Sequence, residues 1–191
     1  MTQPEHPTPR EEQSDGVIRL RRHRRSDVDG HMEAVGESVA EISLWLPWCH
    51  PDYSRAESEA WIAARPEAWE SGESFEYVIE DAVTGQFIGG CGLNSLDWPS
   101  RRANLGYWLR TSRAGQGIMT RAAGMLARIG FEDLGLHRIE ITAAVDNSAS
   151  QRVAEKIGAV REGRLRNRFL LHGRRHDAFL YSLIPEDMTK P

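Results

Sequence analysis

The sequence contains little cysteine and no long apolar run. Its 191 residues include only two cysteines, Cys49 and Cys91, which stand far apart and outside any metal-binding spacing. This excludes a disulfide framework and is typical of a reducing compartment, so we expect a cytoplasmic location. No apolar stretch approaches the roughly 20 residues that cross a bilayer, and no signal-peptide pattern opens the sequence. We therefore expect no membrane association.

Several catalytic and nucleotide-binding signatures are also missing. The sequence has no Gly-x-Ser-x-Gly turn for a serine nucleophile and no Gly-Lys-Ser/Thr of a P-loop. Its seven histidines are scattered, except for His172 and His176, which we interpret as surface residues across a predicted hairpin. We predict neither a covalent nucleophile nor a bound metal.

The sequence also lacks a large charge of one sign. Its 24 basic and 28 acidic residues give a net charge of −4. One arginine and four acidic residues in 1–15 account for −3 of this, which leaves about −1 for the remainder. This balance argues against nucleic-acid binding. Arginine runs at 19–25 and 161–175 fit either solvated strand faces or contacts with a partner or with cofactor phosphates.

What is present is the composition of one globular domain. Hydrophobic residues make up 40% and charged residues 27% of the sequence, which is ordinary for a folded protein of this length. Residues 1–15 are rich in Pro, Glu and Gln and are predicted to form a disordered tail. We predict one domain over residues 16–186 and a short C-terminal tail over residues 187–191.

Hydrophobic periodicity and turn residues predict alternating strands and helices, which indicates an α/β or α+β sheet. Ser26 and Ser54 are predicted helix N-caps, and Gly135 and Gly158 are predicted helix stops. The predicted strands are 18–22, 75–80, 86–93, 101–109, 137–145, 160–171 and 176–184. The predicted helices are 26–35, 41–48, 54–69, 118–134 and 147–157.

The most informative stretch is Gly115-Gln116-Gly117, which lies between a predicted strand and a long predicted helix. Two glycines one residue apart let the backbone turn tightly with its N–H groups inward, and a helix N-terminus adds positive potential. Together these features favour an anion site suited to phosphate. A dinucleotide fingerprint would need a third glycine, but position 120 is Thr. Taken alone, the turn is equally compatible with a simple change of chain direction.

Other motifs stand around this turn in a fixed order. They are Gly-Tyr-Trp-Leu at 106–109, Gly-Gln-Gly-Ile-Met at 115–119, Asn-Ser-Ala-Ser at 147–150 and Glu-Lys-Ile-Gly-Ala-Val-Arg-Glu-Gly at 155–163. With Leu-Trp-Leu-Pro-Trp at 44–48, the set resembles the RimJ/RimL-type branch of the GNAT superfamily of N-acetyltransferases. The resemblance covers residues 18–184. It implies a single-domain GNAT fold, with a mixed, mostly antiparallel sheet of about seven strands, flanked by helices and splayed at the central strands.

The resemblance also implies direct attack of an amine on the thioester of acetyl-CoA, without metal. It assigns the pyrophosphate to backbone N–H groups of residues 113–118 and the thioester carbonyl to N–H donors around residues 108–110. Asn147 and Ser150 are the catalytic candidates near the sulfur, although Asn147 also fits an N-cap. Trp45 and Trp48 are weak acceptor-side candidates that equally fit packing on the sheet. The expected cofactor-binding residues are Trp108, Leu109, Arg110, Arg113, Ala114, Gly115, Gln116, Gly117, Ile118, Met119, Asn147 and Ser150.

The sequence departs from the family pattern at three places. Ser112 stands where the cofactor loop usually has Gln or Arg, and Asn104 stands where Glu is usual before Gly-Tyr-Trp. The stretch 168–170 lacks the carboxylate that some relatives carry there. The general base is therefore unassigned, with Asp97 and Glu140 as weak candidates.

Three functions remain open from the sequence. The leading one is acetyl transfer to a protein N-terminal α-amine, with a ribosomal protein as one expected partner. An α-amine has a pKa of about 8 and lysine about 10.4, so an α-amine asks less of a missing base. The second is acylation of a small amine such as an antibiotic or polyamine, and the third is a non-catalytic acyl-CoA-sensing module. We expect a monomer or homodimer.

Overall fold

The computed structural model describes residues 6–189, which form one eight-stranded sheet flanked by four α-helices. The strands are β1 (Glu12–Ser14), β2 (Ile18–Arg22), β3 (Phe75–Asp81), β4 (Phe87–Asp97), β5 (Arg102–Leu109), β6 (Arg138–Ala144), β7 (Val160–Leu171) and β8 (Arg174–Leu183). The helices are α1 (Val28–Ile42), α2 (Arg55–Glu70), α3 (Ile118–Glu132) and α4 (Ser148–Lys156). The strand order is β1-β2-β3-β4-β5-β6-β8-β7, and all neighbours are antiparallel except β5 and β6. The mixed, mostly antiparallel sheet is confirmed, with one strand more than the seven or so predicted.

Helix α3 packs one face of the sheet and forms the main core. Its apolar residues recur at helical spacing, and the five that the sequence singled out are all buried. They are Ile118, Ala122, Met125, Leu126 and Ile129. Gly130 brings α3 close to the sheet, because a Cβ there would stand 2.8 Å from Ile139 Cδ1. Helix α1 covers the opposite face, where Ala34 packs with Val78 and Phe87.

The sheet opens between β5 and β6. Backbone pairing of these parallel strands runs from Arg102 with Arg138 to Asn104 with Glu140 and then ends. Beyond that point, β6 stays paired with β8 while β5 stays paired with β4. The strands therefore diverge into a wedge, and the edge of β5 from residue 105 onwards faces it. This wedge is the splay expected at the central strands.

Residues 6–15 were predicted to be disordered, but the structure places them against the domain. Strand β1 pairs with β2, and the Arg10 side chain contacts Asp133 at 2.7 Å. The Tyr77 hydroxyl donates to the Arg10 carbonyl at 2.7 Å. The acidic residues that suggested disorder instead pair with arginines of the domain, as Glu11 does with Arg22 at 2.7 Å. Residues 1–5, 190 and 191 lie outside the described residues, and Pro185–Thr189 forms a 3-10 helix.

The helix predictions were wrong at two places before residue 50. Helix α1 begins at Val28 after the 3-10 turn Arg25–Asp27, so its N-cap position is Asp27 and not Ser26. The Asp27 side chain makes no cap hydrogen bond to α1 and instead accepts the Arg24 backbone N–H at 2.7 Å. No separate helix spans residues 41–48, because α1 runs on to Ile42 and the chain then makes successive turns ahead of Pro47. The N-cap predicted at Ser54 is confirmed, as its side chain accepts the N–H of Glu57.

Candidate active site

The wedge between β5 and β6 opens into a cavity of about 720 Å³ that passes through the sheet. On one side it reaches the N-termini of α3 and α4, and on the other it reaches the turn after α1 and the middle of β7. A cavity of this size fits a small-molecule or cofactor site. Its lining includes Trp45, Asn104, Gly106, Tyr107, Trp108, Leu109, Ala114, Gly115, Gly117, Ile118, Met119, Glu140, Thr142, Asn147, Ser150, Arg152, Lys156 and Phe169.

The glycine turn forms the end of the cavity below α3. Gly115 and Gly117 have φ values of +75° and +76°, a conformation that side chains other than glycine rarely adopt. Gly117 is the N-cap, and its carbonyl accepts the N–H of Arg121 at 3.1 Å. The N–H groups of residues 118–120 have no intrahelical partner, and all three residues line the cavity. The turn therefore presents open amides and the positive end of α3 to the cavity.

Two of the expected cofactor residues, Arg110 and Arg113, point elsewhere. Arg110 is buried and pairs with Glu33 and Glu37 of α1, while its backbone N–H donates to Ile88 at 2.9 Å. The Arg113 side chain pairs with Asp81 at 2.7 Å. Neither residue lines the cavity, because carboxylates distant in sequence hold both guanidinium groups.

The backbone amides of the 3-10 turn before the glycines are also occupied. Arg113 N–H donates to Arg110 at 3.1 Å, and Ala114 N–H donates to Thr111 at 3.0 Å. Of residues 113–118, where a pyrophosphate cradle was expected, Arg113 and Ala114 therefore have backbone amides that are already bonded. Gln116 does not line the cavity, and its side chain closes the turn on the Ser112 carbonyl at 3.1 Å.

Trp108 and Leu109, two of the residues predicted to bind the cofactor, line the cavity on the unpaired edge of β5. The indole of Trp108 lies across β4, since a Cβ at Gly90 would stand 2.9 Å from its Nε1. The glycine at position 90 therefore makes room for this ring. Trp48 packs against Trp108 with ring centroids 5.7 Å apart, outside the cavity lining, whereas Trp45 lines the cavity directly.

Asn147 and Ser150 lie at the start of α4, which forms the cavity wall opposite β5. The Asn147 side chain accepts the N–H of Ser150 at 3.0 Å, so its N-cap role is confirmed. The Ser150 hydroxyl is 2.9 Å from the Tyr107 hydroxyl, which also donates to the Ser150 carbonyl at 3.1 Å. Burial raises the pKa of Tyr107 to about 12, so this phenol keeps its proton at neutral pH.

Tyr107, Arg152 and Lys156 are cavity residues that the sequence analysis did not single out. Tyr107 stands inside the Gly-Tyr-Trp-Leu motif, but only the fold brings β5 to α4. Arg152 and Lys156 are four residues apart on α4, a spacing that places both on one helix face. That spacing was the available signal for a basic wall beside the glycine turn.

The two carboxylates expected as weak bases are both bound to arginines. Glu140 lines the cavity but contacts Arg138 at 2.8 Å and Arg102 at 3.4 Å. Asp97 lies outside the lining, and hydrogen bonds from Ser100 and Arg102 hold its pKa below the usual value. Neither group is well placed to accept a proton from a substrate in the cavity.

Comparison with known proteins identifies the family to which this chain belongs. The family model described as an acetyltransferase (GNAT) domain matches residues 18–160. The chain belongs to the GNAT acetyltransferase family. Among the residues described, no three His, Cys, Asp or Glu side chains are grouped to hold a metal ion. The helices in the same part of the chain are too short or too polar to cross a bilayer.

Individual relatives agree with the family assignment. The ribosomal-protein-serine acetyltransferase of Escherichia coli is 33% identical over 160 residues, which cover 82% of this chain and 88% of that protein. The candidate ribosomal N-acetyltransferase YdaF of Bacillus subtilis is 39% identical over 103 residues, covering 54% of this chain. The match spans 56% of that relative's length. A solved RimL, a ribosomal L7/L12 acetyltransferase in complex with coenzyme A, is 27% identical, with a TM-score of 0.79 over 88% of this chain and 94% of RimL.

Proposed function

We propose that this protein transfers an acetyl group from acetyl-CoA to a primary amine, and that its preferred acceptor is a protein N-terminal α-amine. One observation carries the proposal: a single cavity joins the open amides below α3 to the unpaired edge of β5 and to the opposite face of the sheet. A cofactor bound from the α3 side meets an acceptor entering from the α1 side. The reaction needs such a passage because the thioester and the amine must meet within bonding distance.

The cofactor end of the cavity suits a pyrophosphate. The amides of residues 115–120 and the dipole of α3 favour an anion there, and Arg152 and Lys156 add positive charge from α4. The free edge of β5 offers backbone groups to the amide-containing arm of the cofactor, as an added strand would. Acetyl-CoA supplies the activated acyl group, and Trp108 and Leu109 lie where backbone donors can polarise its carbonyl.

Ser150 is the proposed proton donor to the departing sulfur, with Tyr107 behind it. A thiolate with a pKa of about 8.5 leaves more readily when a hydroxyl donates to it. The Tyr107 hydroxyl lies 2.9 Å from the Ser150 oxygen and can replace the proton that Ser150 gives up. Asn147 holds the first turn of α4, and thus Ser150, in position.

The preference for an α-amine has two supports. The Escherichia coli relative is named as a ribosomal-protein-serine acetyltransferase and is similar over most of this chain. The pKa of an α-amine lies about one unit above neutral pH, and that of lysine lies about three units above it. Deprotonation of lysine at neutral pH therefore costs roughly 3 kcal/mol more than deprotonation of an α-amine. Trp45 and Phe169 line the acceptor end with aromatic surface that can hold the residues following an N-terminus.

The proposed function predicts which nitrogen becomes acetylated. Peptides that carry both a free N-terminus and an internal lysine are expected to release free thiol from acetyl-CoA and to gain one acetyl group at the N-terminus. Mass spectrometry of fragments locates that group. Modification of lysine alone, or of polyamines and aminoglycosides alone, would contradict the acceptor class. Tight acetyl-CoA binding without thiol release for any amine would instead indicate a non-catalytic module.

The cofactor end can be tested through Gly117. Replacement of Gly117 by Val is expected to weaken acetyl-CoA binding at least about tenfold, because a branched residue at φ +76° costs roughly 1–3 kcal/mol and the turn must rearrange. Isothermal titration calorimetry measures the affinity. Gly124→Ala, within α3, is the matched control, because its Cβ would lie 3.9 Å from the nearest atom, Cγ2 of Ile157. Unchanged affinity in a folded Gly117→Val protein would place the cofactor elsewhere.

A further inference from the structure

The proposed transfer needs an acceptor for the proton that the amine loses, and Glu76 of β3 is placed to serve. Glu76 pairs with Gly92 of β4, and Gly92 pairs with Gly106 of β5. Paired positions point their side chains to the same face of a sheet, so these three residues form a row across three strands. The row ends at Gly106, which lines the cavity.

The two glycines keep this row clear of side chains. A Cβ at Gly92 would overlap the Glu76 carboxylate, so the carboxylate itself lies over the β4 backbone. A Cβ at Gly106 would meet only Asn94 Nδ2 at 3.4 Å and Asn104 Nδ2 at 3.8 Å. Neighbouring strands lie about 4.8 Å apart, so roughly one strand spacing separates the carboxylate from Gly106. Two hydrogen bonds through a single water span such a gap.

Two asparagine amides flank the row and connect it to the cavity. Asn94 Nδ2 lies 3.4 Å from Glu76 Oε1, and Asn104 Nδ2 donates to Asn94 Oδ1 at 3.0 Å. Asn104 lines the cavity. A buried water is stable where two to four polar groups surround it, and the carboxylate and these amides provide that number.

Glu76 is also the carboxylate in this region that no arginine neutralises. Among residues 6–189, no basic group lies within 4 Å of it, whereas Glu140 and Asp97 are both bound by arginines. The titratable group that acts on it is Arg65 of α2, whereas Cys91 of β4 pairs with Tyr77 and lies in the core on the opposite face of the sheet. Burial raises the pKa of Glu76, and this effect exceeds the lowering by Asn94 and Arg65. A carboxylate of raised pKa is a stronger proton acceptor near neutral pH.

We propose that Glu76 accepts the proton of the attacking amine through one water held over Gly106 by Asn94 and Asn104. The inference rests on the proposed acetyl transfer. A neutral amine forms the new carbon–nitrogen bond and gives one proton through the water to Glu76. The carbon–sulfur bond breaks, and the sulfur keeps its electron pair and takes a proton from Ser150. Glu76 then releases its proton to solvent and Ser150 regains one, which leaves an amide and a free thiol.

The test is Glu76→Gln, which keeps the shape of the side chain and removes its basicity. At pH 7, with a peptide α-amine as acceptor, we expect kcat to fall about 100-fold. Acetyl-CoA affinity and the melting temperature should stay at wild-type values. With rates divided by the fraction of peptide whose α-amine is neutral, the wild-type rate should level off above the pKa of Glu76, whereas the variant rate should keep rising about tenfold per pH unit as hydroxide takes the proton. A purely structural role would leave the shape of the pH profile unchanged.

Two further variants bound the interpretation. Glu73→Gln, at an exposed position on the preceding loop, should behave as wild type. Gly106→Ala places a methyl group at the position proposed for the water, at ordinary contact distances from Asn94 and Asn104. The variant should therefore lower kcat without changing acetyl-CoA affinity.

The outcomes separate this inference from the proposed function. An active wild type with an unchanged rate and pH profile in Glu76→Gln would overturn the role of Glu76 alone. The role of Glu76 would also be overturned if Glu140→Gln, and not Glu76→Gln, removed the fall in rate on the acidic side of the pH profile. A wild type that binds acetyl-CoA and acetylates no amine would overturn both proposals together.

Discussion

Replacement of Ser150 by Ala is expected to lower kcat about 100-fold while the affinity for acetyl-CoA changes little. A hydrogen bond that strengthens as the thiolate departs stabilises the transition state more than the bound substrate. The geometry supports this role, because the Ser150 hydroxyl lies in the cavity wall, 2.9 Å from the hydroxyl of Tyr107. Steady-state kinetics and calorimetry on the same variant give the two numbers.

Tyr107→Phe provides a second test of the same relay. If Tyr107 acts only by supplying a proton to Ser150, the variant that combines Tyr107→Phe with Ser150→Ala should have the same kcat as Ser150→Ala alone. Ser148→Ala is the matched control in the same turn, since the Ser148 hydroxyl accepts from Arg152 at 3.2 Å and lies outside the cavity lining. Normal turnover in Ser150→Ala, with only a lower melting temperature, would reduce its role to stabilising the start of α4.

Replacement of Arg21 by Met is expected to lower the free energy of unfolding by about 3–5 kcal/mol, because it removes the ion-pair partner of the buried Asp27 carboxylate and leaves the buried Glu80 carboxylate with Arg19 alone. Arg21 is 6% exposed and contacts Asp27 through two nitrogens at 2.8 and 2.9 Å. Its Nε also donates to Glu80 at 2.6 Å, and both carboxylates are buried. Chemical denaturation at neutral pH measures the loss. Arg55→Met, which breaks exposed pairs with Asp29 and Glu59, should leave stability unchanged.

The loss should depend on pH in a direction that the pKa of Asp27 determines. Burial alone raises this pKa, but hydrogen bonds from Arg21 and from the Arg24 backbone outweigh it and hold the pKa below its usual value. A lowered pKa in the folded state adds stability above the unfolded-state pKa, and that stability is lost as pH falls through the folded-state value. The wild type should therefore lose its advantage over Arg21→Met below about pH 4. A difference that stays constant down to pH 2 would contradict the charge-based account.

Local features of the sequence were enough to predict most of the fold. The spacing of apolar residues in α3 follows from the 3.6-residue period, and the positive φ of Gly115 and Gly117 follows from the glycine pair. The N-caps at Ser54 and Asn147 are equally local, because each side chain bonds a backbone N–H three residues on. The splay between the central strands was predicted from the family that the ordered motifs resemble, since no hydrophobic periodicity indicates it.

The roles of individual side chains depended on neighbours that are distant along the chain. Arg110 and Arg113 seemed to belong to the phosphate loop, but Glu37 and Asp81, some 70 and 30 residues earlier, bind their guanidinium groups. Ion pairs of this kind are invisible to periodicity and spacing because they form only when separate elements pack.

The sequence by itself therefore determined most of the strands and helices and the glycine turn before α3, since hydrogen bonds and side-chain periods within a few residues decide them. Only the tertiary structure decided which polar groups meet in the cavity. Tyr107 reaches Ser150 because β5 diverges from β6 and exposes its edge to α4. Glu76 lies in one row with Gly92 and Gly106 because the pairing register of β3, β4 and β5 places these three residues opposite one another. Register and divergence are properties of the assembled sheet, which no short stretch of sequence specifies.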